Sequence, residues 1–390
     1  MTSKLYLFLL LLLCCCIATA QKKDVHSGND STIVYKKIEN LSQKSKFNRF
    51  IYKLLFKSNR QTKSTSGAKR RRFLIKKSFD RNEGKIIRNI NIETLDPFGY
   101  SVDNYKDQPE KGFEKFGNSL HIKSKNWTIH NLLLFKKNEP LDSLIVKESE
   151  RLIRRQRYTR SVIIKPVEIP GSRDSVDISI RVLDTWSLIP NGTLSSSQGN
   201  FELTERNFLG LGHEFRNDYT RRFDTGRDAY LGKYSINNIK NTFINASLTY
   251  ENSLNNYTTK NARIERQFFS PLTRLAGGAF FEKRFFIDSL PDNSGIFNKQ
   301  NFKLDTQEYW LGHSFKIFKG KNEDFRTTNL VTTIGFKNVK YLQTPELVYD
   351  PTQFFANEKL YLATIGLNTR KFAEDKFLFN FGIIEDIPYG

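Results

Sequence analysis

The sequence predicts an α+β unit followed by an antiparallel β-barrel that spans a membrane. Three observations carry this expectation: an export signal at the start, a strand–helix–helix–strand–strand pattern over residues 86–186, and period-two alternation over 187–390. Period-two alternation puts one set of side chains on each face of a sheet. In residues 242–250 the even positions are Thr242, Ile244, Ala246, Leu248 and Tyr250, and the odd ones include Asn245, Ser247 and Thr249. Tyr309, Leu311, Phe315 and Ile317 alternate with Glu308, Ser314 and Lys316; Tyr361, Ala363, Ile365 and Leu367 alternate with Thr364, Gly366 and Asn368. An apolar face rich in Phe, Tyr and Leu opposite a polar one suits a water-filled barrel in lipid, where backbone groups must be satisfied internally. A soluble β-sandwich alternates in the same way and stays open as a reading.

Residues 1–20 open with Lys4, run almost without a polar residue from Leu5 to Leu13, and close on Ala18-Thr19-Ala20. That is the pattern of a cleaved secretory signal peptide, too short for a permanent span. Cys14, Cys15 and Cys16 are the only cysteines. All three leave with the peptide, so the mature chain is expected to carry no disulfide and no thiolate metal site. No later stretch reaches the roughly 20 apolar residues of a helical span. A mean hydropathy of −0.52 argues against a helical bundle and leaves a barrel open.

Residues 21–85 hold 19 basic against 5 acidic residues, a surplus of +14 within the net +21 of the 390-residue chain. Lys69-Arg70-Arg71-Arg72 and Lys76-Lys77 could suggest nucleic acid, but no stacking aromatics or zinc motif accompany them. An exported chain with this charge fits a solvated or anionic-lipid-facing segment better. Within it Phe47, Phe50, Ile51, Leu54 and Leu55 recur at helical spacing, interleaved with Lys46, Arg49, Lys53 and Lys57. This basic amphipathic helix suits a membrane surface or docking on a neighbouring domain equally. Residues 58–67 read as a linker.

Over residues 86–186, Ile86, Arg88, Ile90 and Ile92 alternate as a strand that stops at Asp96-Pro97-Phe98-Gly99. A loop-like stretch rich in Asp, Lys and Gly follows. Residues 127–135 are predicted as a first helix, with Ile129, Leu132 and Leu133 on its apolar face. Residues 141–155 are predicted as a second, with Asp142 as N-cap and Leu144, Ile145, Leu152 and Ile153 in its stripe. Residues 158–166 and 175–184 complete the unit as strands, the latter alternating Val176, Ile178, Ile180 and Val182.

The order β-α-α-β-β resembles that of a POTRA domain, the periplasmic module of the outer-membrane insertase family of BamA and TamA type. Phe135-Lys136-Lys137-Asn138-Glu139-Pro140-Leu141-Asp142 is similar to the family's link between its helices, and residues 152–162 resemble its passage into the second strand. Glu205-Arg206-Asn207-Phe208-Leu209-Gly210-Leu211-Gly212 is similar to the hairpin that opens the family's barrel. Phe268-Phe269-Ser270-Pro271 and Gly277-Gly278 resemble its later strands. The likeness runs from about residue 86 onward and is closest to homologues from Bacteroidota. It implies a sixteen-stranded barrel, whereas residues 187–390 have length for about ten to twelve strands. No Arg-Gly dipeptide of the family's lumenal loop occurs, and Ile387-Pro388-Tyr389-Gly390 lacks an aromatic closing strand. The chain therefore reads as truncated in the barrel.

Histidines 26, 121, 130, 213 and 313 make no ligand spacing, and no P-loop or nucleophile elbow occurs. Gly210-Leu211-Gly212 lacks a third glycine and reads as a hairpin bend. His130 reads as a surface or packed residue, and Trp127 and Trp186 as core or interface aromatics. No cofactor and no catalysis are expected. The resemblance implies instead that Ser161, Val162, Ile163, Ile164 and Lys165 form a strand edge for unfolded outer-membrane protein clients, paired through backbone hydrogen bonds. It also implies a first barrel strand at 187–197, whose Pro190, Gly192, Ser195, Ser196 and Ser197 suit a seam that opens sideways, or are ordinary edge breakers. Outer-membrane lipid and accessory assembly proteins are the further partners implied, with the N-terminal part in the periplasm. Two rival readings are a two-partner-secretion pore for a dedicated client and a soluble secreted β-rich binding protein.

Overall fold

Strand β1 (Ile86–Leu95) opens a three-stranded sheet whose helices are α1 (Gly112–Leu120), α2 (Asn126–His130) and α3 (Ser143–Arg154). Strands β2 (Thr159–Glu168) and β3 (Ser175–Asp184) complete it in the order β1-β3-β2, with β1 parallel and β2 antiparallel to β3. The computed structural model describes residue 79 and residues 81–389, apart from 256, 293, 321–322, 347–354, 370–372 and 381–382. The expected signal peptide, the basic segment and its helix at Phe47, Phe50, Ile51, Leu54 and Leu55 lie outside the described residues.

In β3 the predicted alternation holds: Val176, Ile178, Ile180 and Val182 are wholly buried, packed with Ile129, Leu133 and Ile153 from the helical layer. A smaller cluster of Leu95, Val102 and Leu183 covers the other face. α3 starts where predicted, because the Asp142 carboxylate accepts from the amides of Leu144 and Ile145 at 3.0 and 3.2 Å. Arg151 and Arg154 occupy its last turn, where cations suit the helix dipole.

Three expectations are corrected. In β1 a bulge between Ile87 and Ile90 resets the alternation, so Ile87 is buried while Ile86 and Arg88 face solvent. The predicted loop contains α1, whose first turn is held by the Glu114 carboxylate accepting from the amides of Glu110 and Lys111 at 3.1 Å. Its Phe113, Phe116 and Leu120 point to solvent, so burial did not drive it. The helix predicted at 127–135 ends at His130, and turns carry Leu132 and Leu133 into the core. Of the two readings of Trp127, core or interface aromatic, its half exposure removes the first.

Ten strands follow in one antiparallel sheet: β4 (Leu188–Leu194), β5 (Gln198–Phe208), β6 (His213–Arg222), β7 (Asp228–Ile236), β8 (Asn245–Asn252), β9 (Thr258–Arg266), β10 (Leu275–Pro291), β11 (Phe297–Lys316), β12 (Asn329–Gln343) and β13 (Glu358–Asn368). Each pairs with its neighbours in sequence, and β4 and β13 are the two edges. A short helix α4 (Glu323–Thr327) lies between β11 and β12, and β14 (Ala373–Asn380) pairs with β15 (Ile383–Tyr389) as a separate two-stranded sheet.

The register sorts the side chains. Leu203, Phe215, Tyr234, Leu248, Ile264, Phe281, Tyr309, Leu311, Ile334, Phe336, Tyr361 and Ile365 share one face, and most of them are exposed. Glu202, Arg216, Asp218, Lys233, Arg263, Glu265, Glu282, Arg284, Glu308 and Lys337 share the other. There, pairs such as Arg216–Glu202 at 3.1 Å and Lys337–Glu308 at 2.9 Å form. Strand β8 begins at Asn245 rather than at 242: Phe243 takes a positive φ of 57° and turns into the α/β core, and Ile244 precedes the strand.

Candidate functional site: two free strand edges and the junction between them

The predicted client residues Ser161, Val162, Ile163, Ile164 and Lys165 lie on β2, an edge of the three-stranded sheet. They are not equivalent. The amide of Ile86 donates to the Asp174 carbonyl at 2.8 Å, so even residues of β3 direct their backbone at β1 and odd ones at β2. Ser161, Ile163 and Lys165, opposite Leu183, Arg181 and Ser179, therefore give their amides to β3. Among the described residues the amides of Val162 and Ile164 on this edge meet no partner strand, and Pro166, next in that row, has none to give. The side chains of Val162 and Ile164 are buried, which holds those two donors in place.

β4 is a second strand edge without a partner among the described residues. Ser195, Ser196 and Ser197 lie beyond it in the turn to β5, correcting the expected strand 187–197. The Arg206 amide donates to the Ser187 carbonyl at 3.0 Å and the Ser195 amide to the Gln198 carbonyl at 2.8 Å. Odd residues thus pair with β5, and Leu188, Pro190, Gly192 and Leu194 turn their backbone groups outward. Pro190 has no donor, and the Gly192 amide is already taken by the Asn191 side-chain oxygen at 2.9 Å. Two of the four outward positions are thereby withdrawn from strand pairing. At the opposite edge, Lys359, Tyr361, Ala363, Ile365 and Leu367 of β13 turn outward in the same way, and each carries an amide.

Only Thr185, Trp186 and Ser187 separate β3 from β4, and the hairpin 205–212 clamps this short link. The Asn207 side chain donates through Nδ2 to Ser124 Oγ at 3.0 Å, and its Oδ1 accepts from the Gly212 backbone amide at 2.8 Å. The Gly210 carbonyl accepts from the Lys125 amide and from Thr128 Oγ1, each at 2.9 Å. A Cβ on Gly210 would lie 2.3 Å from the Lys123 carbonyl oxygen, and φ there is +74°. Glycine is required by space and by conformation together. The resemblance singled out this octapeptide, but its bonds to Ser124, Lys125 and Thr128 come from residues more than 80 positions upstream.

Beneath the hairpin, wholly buried Asp184 accepts from the Ser124 amide at 2.7 Å and from Ser124 Oγ at 2.9 Å. Burial pushes its carboxyl up to about 6, against the pull of the Ser124 bonds and of His121. His121 lies between Asp184 at 4.0 Å and Asp96 at 3.3 Å, with Trp186 against its ring. Sequence reading missed this cluster because its members are spread over residues 96–207 without a common spacing.

A second set of contacts ties α3 to the turns of the large sheet. Arg151 is bonded to Glu148 at 2.9 Å and donates to the Phe269 carbonyl at 2.7 Å, and Phe269 stacks on Phe243 at 3.9 Å. Arg326 of α4 grips Asp142 through two bonds of 3.0 and 2.7 Å. Burial opposes the Asp142 charge, but Arg326 and the helix amides outweigh it and hold the carboxyl below its usual range. Among the described residues no His, Cys, Asp or Glu cluster suited to a metal occurs, and His130 is exposed.

No protein-family model matches the chain, and no curated protein matches it. Among solved structures it is similar to BamA from Haemophilus ducreyi lacking POTRA domains 1–3, at 12% identity and a TM-score of 0.31, over 65% of this chain and 56% of that one. It is also similar to CdiB from Escherichia coli, at 15% identity and a TM-score of 0.37, over 74% and 42% of the two chains. CdiB from Acinetobacter baumannii gives 9%, 0.35, 78% and 58%. The chain spans about half the length of these solved chains.

Proposed function

We propose that this chain is an outer-membrane barrel protein of the insertase type, assisting insertion, assembly or export of outer-membrane proteins, with residues 86–186 as a periplasmic POTRA domain. The observation that carries the reading is the β4 edge. A sheet with an apolar face, in lipid, cannot leave backbone groups bare. An edge with two donors withdrawn gains less from a permanent partner than a complete edge does, which suits pairing that must be reversible. The short link and the hydrogen-bonded hairpin hold the β2 edge close in sequence to this seam, so a client strand bound by backbone on β2 has a second edge to pass to. The role is non-catalytic, and the partners are unfolded barrel clients and lipid.

Cysteine scanning tests it, since residues 21–390 contain no cysteine. A cysteine replacing Gly192 or Leu194 is paired with a cysteine series along the last strand of an arrested client barrel. Disulfides recurring at every second client residue are expected. Absence of crosslinks, or yields without that period, would remove the seam from the mechanism. The charged side chains on the polar face favour a second reading, an export pore for a dedicated client. In that case the client accumulates outside the membrane rather than within it.

A further inference from the structure

The apolar face of the large sheet ends differently on its two halves. On β9 the same-face residues run Ile264, Ala262 and then Lys260; on β10 they run Ala279, Phe281 and then Lys283. On β11, Leu311, Tyr309 and Gln307 are followed by Asp305 and Lys303. On β12, Ile334, Phe336 and Asn338 are followed by Lys340, and on β13 Ile365, Ala363 and Tyr361 by Lys359. Five adjacent strands thus each carry a lysine on the apolar face, on the half of the strand away from the turns that meet α3, and on β10 and β12 apolar residues (Phe285, Ile287 and Leu342) lie on its far side as well. All five lysines are exposed. No ion pair holds any of them among the described residues; Lys260 only overlies the Tyr250 ring at 5.6 Å.

Their arrangement works against the protein alone. Lys260 and Lys283 are directly opposite across β9 and β10, and like charges so placed repel. Asp305, opposite both Lys283 and Lys340, is the single acid in the arc. Strands β4 to β8 have no lysine on this face, and their Arg221 is paired with Asp228. A partner for the arc must bring negative charge at the lysines and apolar matter immediately beside them, since successive same-face residues are about 7 Å apart. A nucleic acid supplies the first and not the second, whereas a lipid supplies both in one molecule.

We infer that Lys260, Lys283, Lys303, Lys340 and Lys359 form a headgroup-binding arc for anionic phospholipid-type lipids in the leaflet remote from the α/β unit. The inference rests on the membrane reading above. It fastens β9 to β13 to the lipid and leaves the β4 side without such anchors.

The test incorporates the full chain into vesicles of phosphatidylcholine with and without phosphatidylglycerol. Native mass spectrometry after extraction counts the lipids of each kind retained. The unaltered chain should prefer phosphatidylglycerol, and the preference should fall as salt rises. Replacing all five lysines by Gln should bring it toward unity, by up to about fivefold per lysine at low salt. Replacing Lys106, Lys115, Lys136 and Lys137 of the α/β unit by Gln should leave it unchanged. The basic residues 21–85 add a salt-dependent background common to all variants, so a preference that the five substitutions lower no more than the four α/β-unit substitutions do, or that ignores salt in the unaltered chain, overturns the arc. A chain that never inserts overturns the membrane reading and the arc with it, whereas one that inserts without headgroup preference overturns the arc alone.

Discussion

Asp184 and Gly210 are two residues at the joint between the α/β unit and the large sheet whose contributions can be tested separately. Asp184 has a folded pKa of about 6 against an ordinary 3.8, so the folded state holds its proton the more tightly. Its contribution to stability is therefore fully present below about pH 4 and is lost as pH rises through 6. The loss is on the order of 3 kcal/mol for a shift of this size. Asp142 and Asp177 are shifted the other way, and their effect falls below pH 3.8, outside that window. Melting of the detergent-solubilised protein should fall between pH 4 and 6.5, and Asp184→Asn should flatten the slope; a melting temperature that climbs over this range would contradict the assignment. Gly210 acts through space instead of charge. Gly210→Ala sets a methyl group against the Lys123 carbonyl and forces a left-handed alanine, at a cost of roughly 2–4 kcal/mol. Protease sensitivity near residue 187 should rise in that variant, while Gly84→Ala, also at positive φ but with open space around it, should show a smaller effect.

At the scale of elements, β2 carries the sharpest consequence. The Ile163 amide belongs to the β2–β3 ladder, so Ile163→Pro breaks the sheet itself, by about 3 kcal/mol or more. The edge is probed at Ile164, whose amide faces outward but whose side chain is buried. Ile164→Ala loses the packing and keeps the donor; Ile164→Pro loses both. If clients pair with this edge, photo-crosslinking of client from a probe at Lys165 should drop in the proline variant and persist in the alanine variant. Equal yields in the two would exclude backbone capture by β2. The elements best predicted from sequence were those whose periodicity and packing coincide, β3 and α3. α1 escaped because its apolar residues face solvent, and the β1 register escaped because a bulge leaves no trace in a hydrophobic pattern.

For the molecule as a whole, the apolar face must meet lipid and the charged face water if the sheet is a barrel wall. Single cysteines at Ala246 and Leu248, against others at Asn245 and Ser247, separate the two faces on one strand. A membrane-impermeant thiol reagent should label the second pair and spare the first. Equal labelling of all four would return the chain to the class of soluble sandwiches.

Period-two alternation by itself determined the two faces of the large sheet, because side-chain direction along a strand is a local property of an extended backbone. Local chemistry likewise determined the α3 cap at Asp142, whose partners are two and three residues away. What only the tertiary structure decided is where backbone donors go: that Pro190 and Asn191 act on an outward row of β4, and that Val162 and Ile164, not Ile163, face the free edge of β2. It also decided that Asp184, Ser124 and Asn207 meet, and that five lysines from five strands stand side by side. These depend on register between strands, and register is fixed by contacts between residues distant in sequence, which no local pattern records.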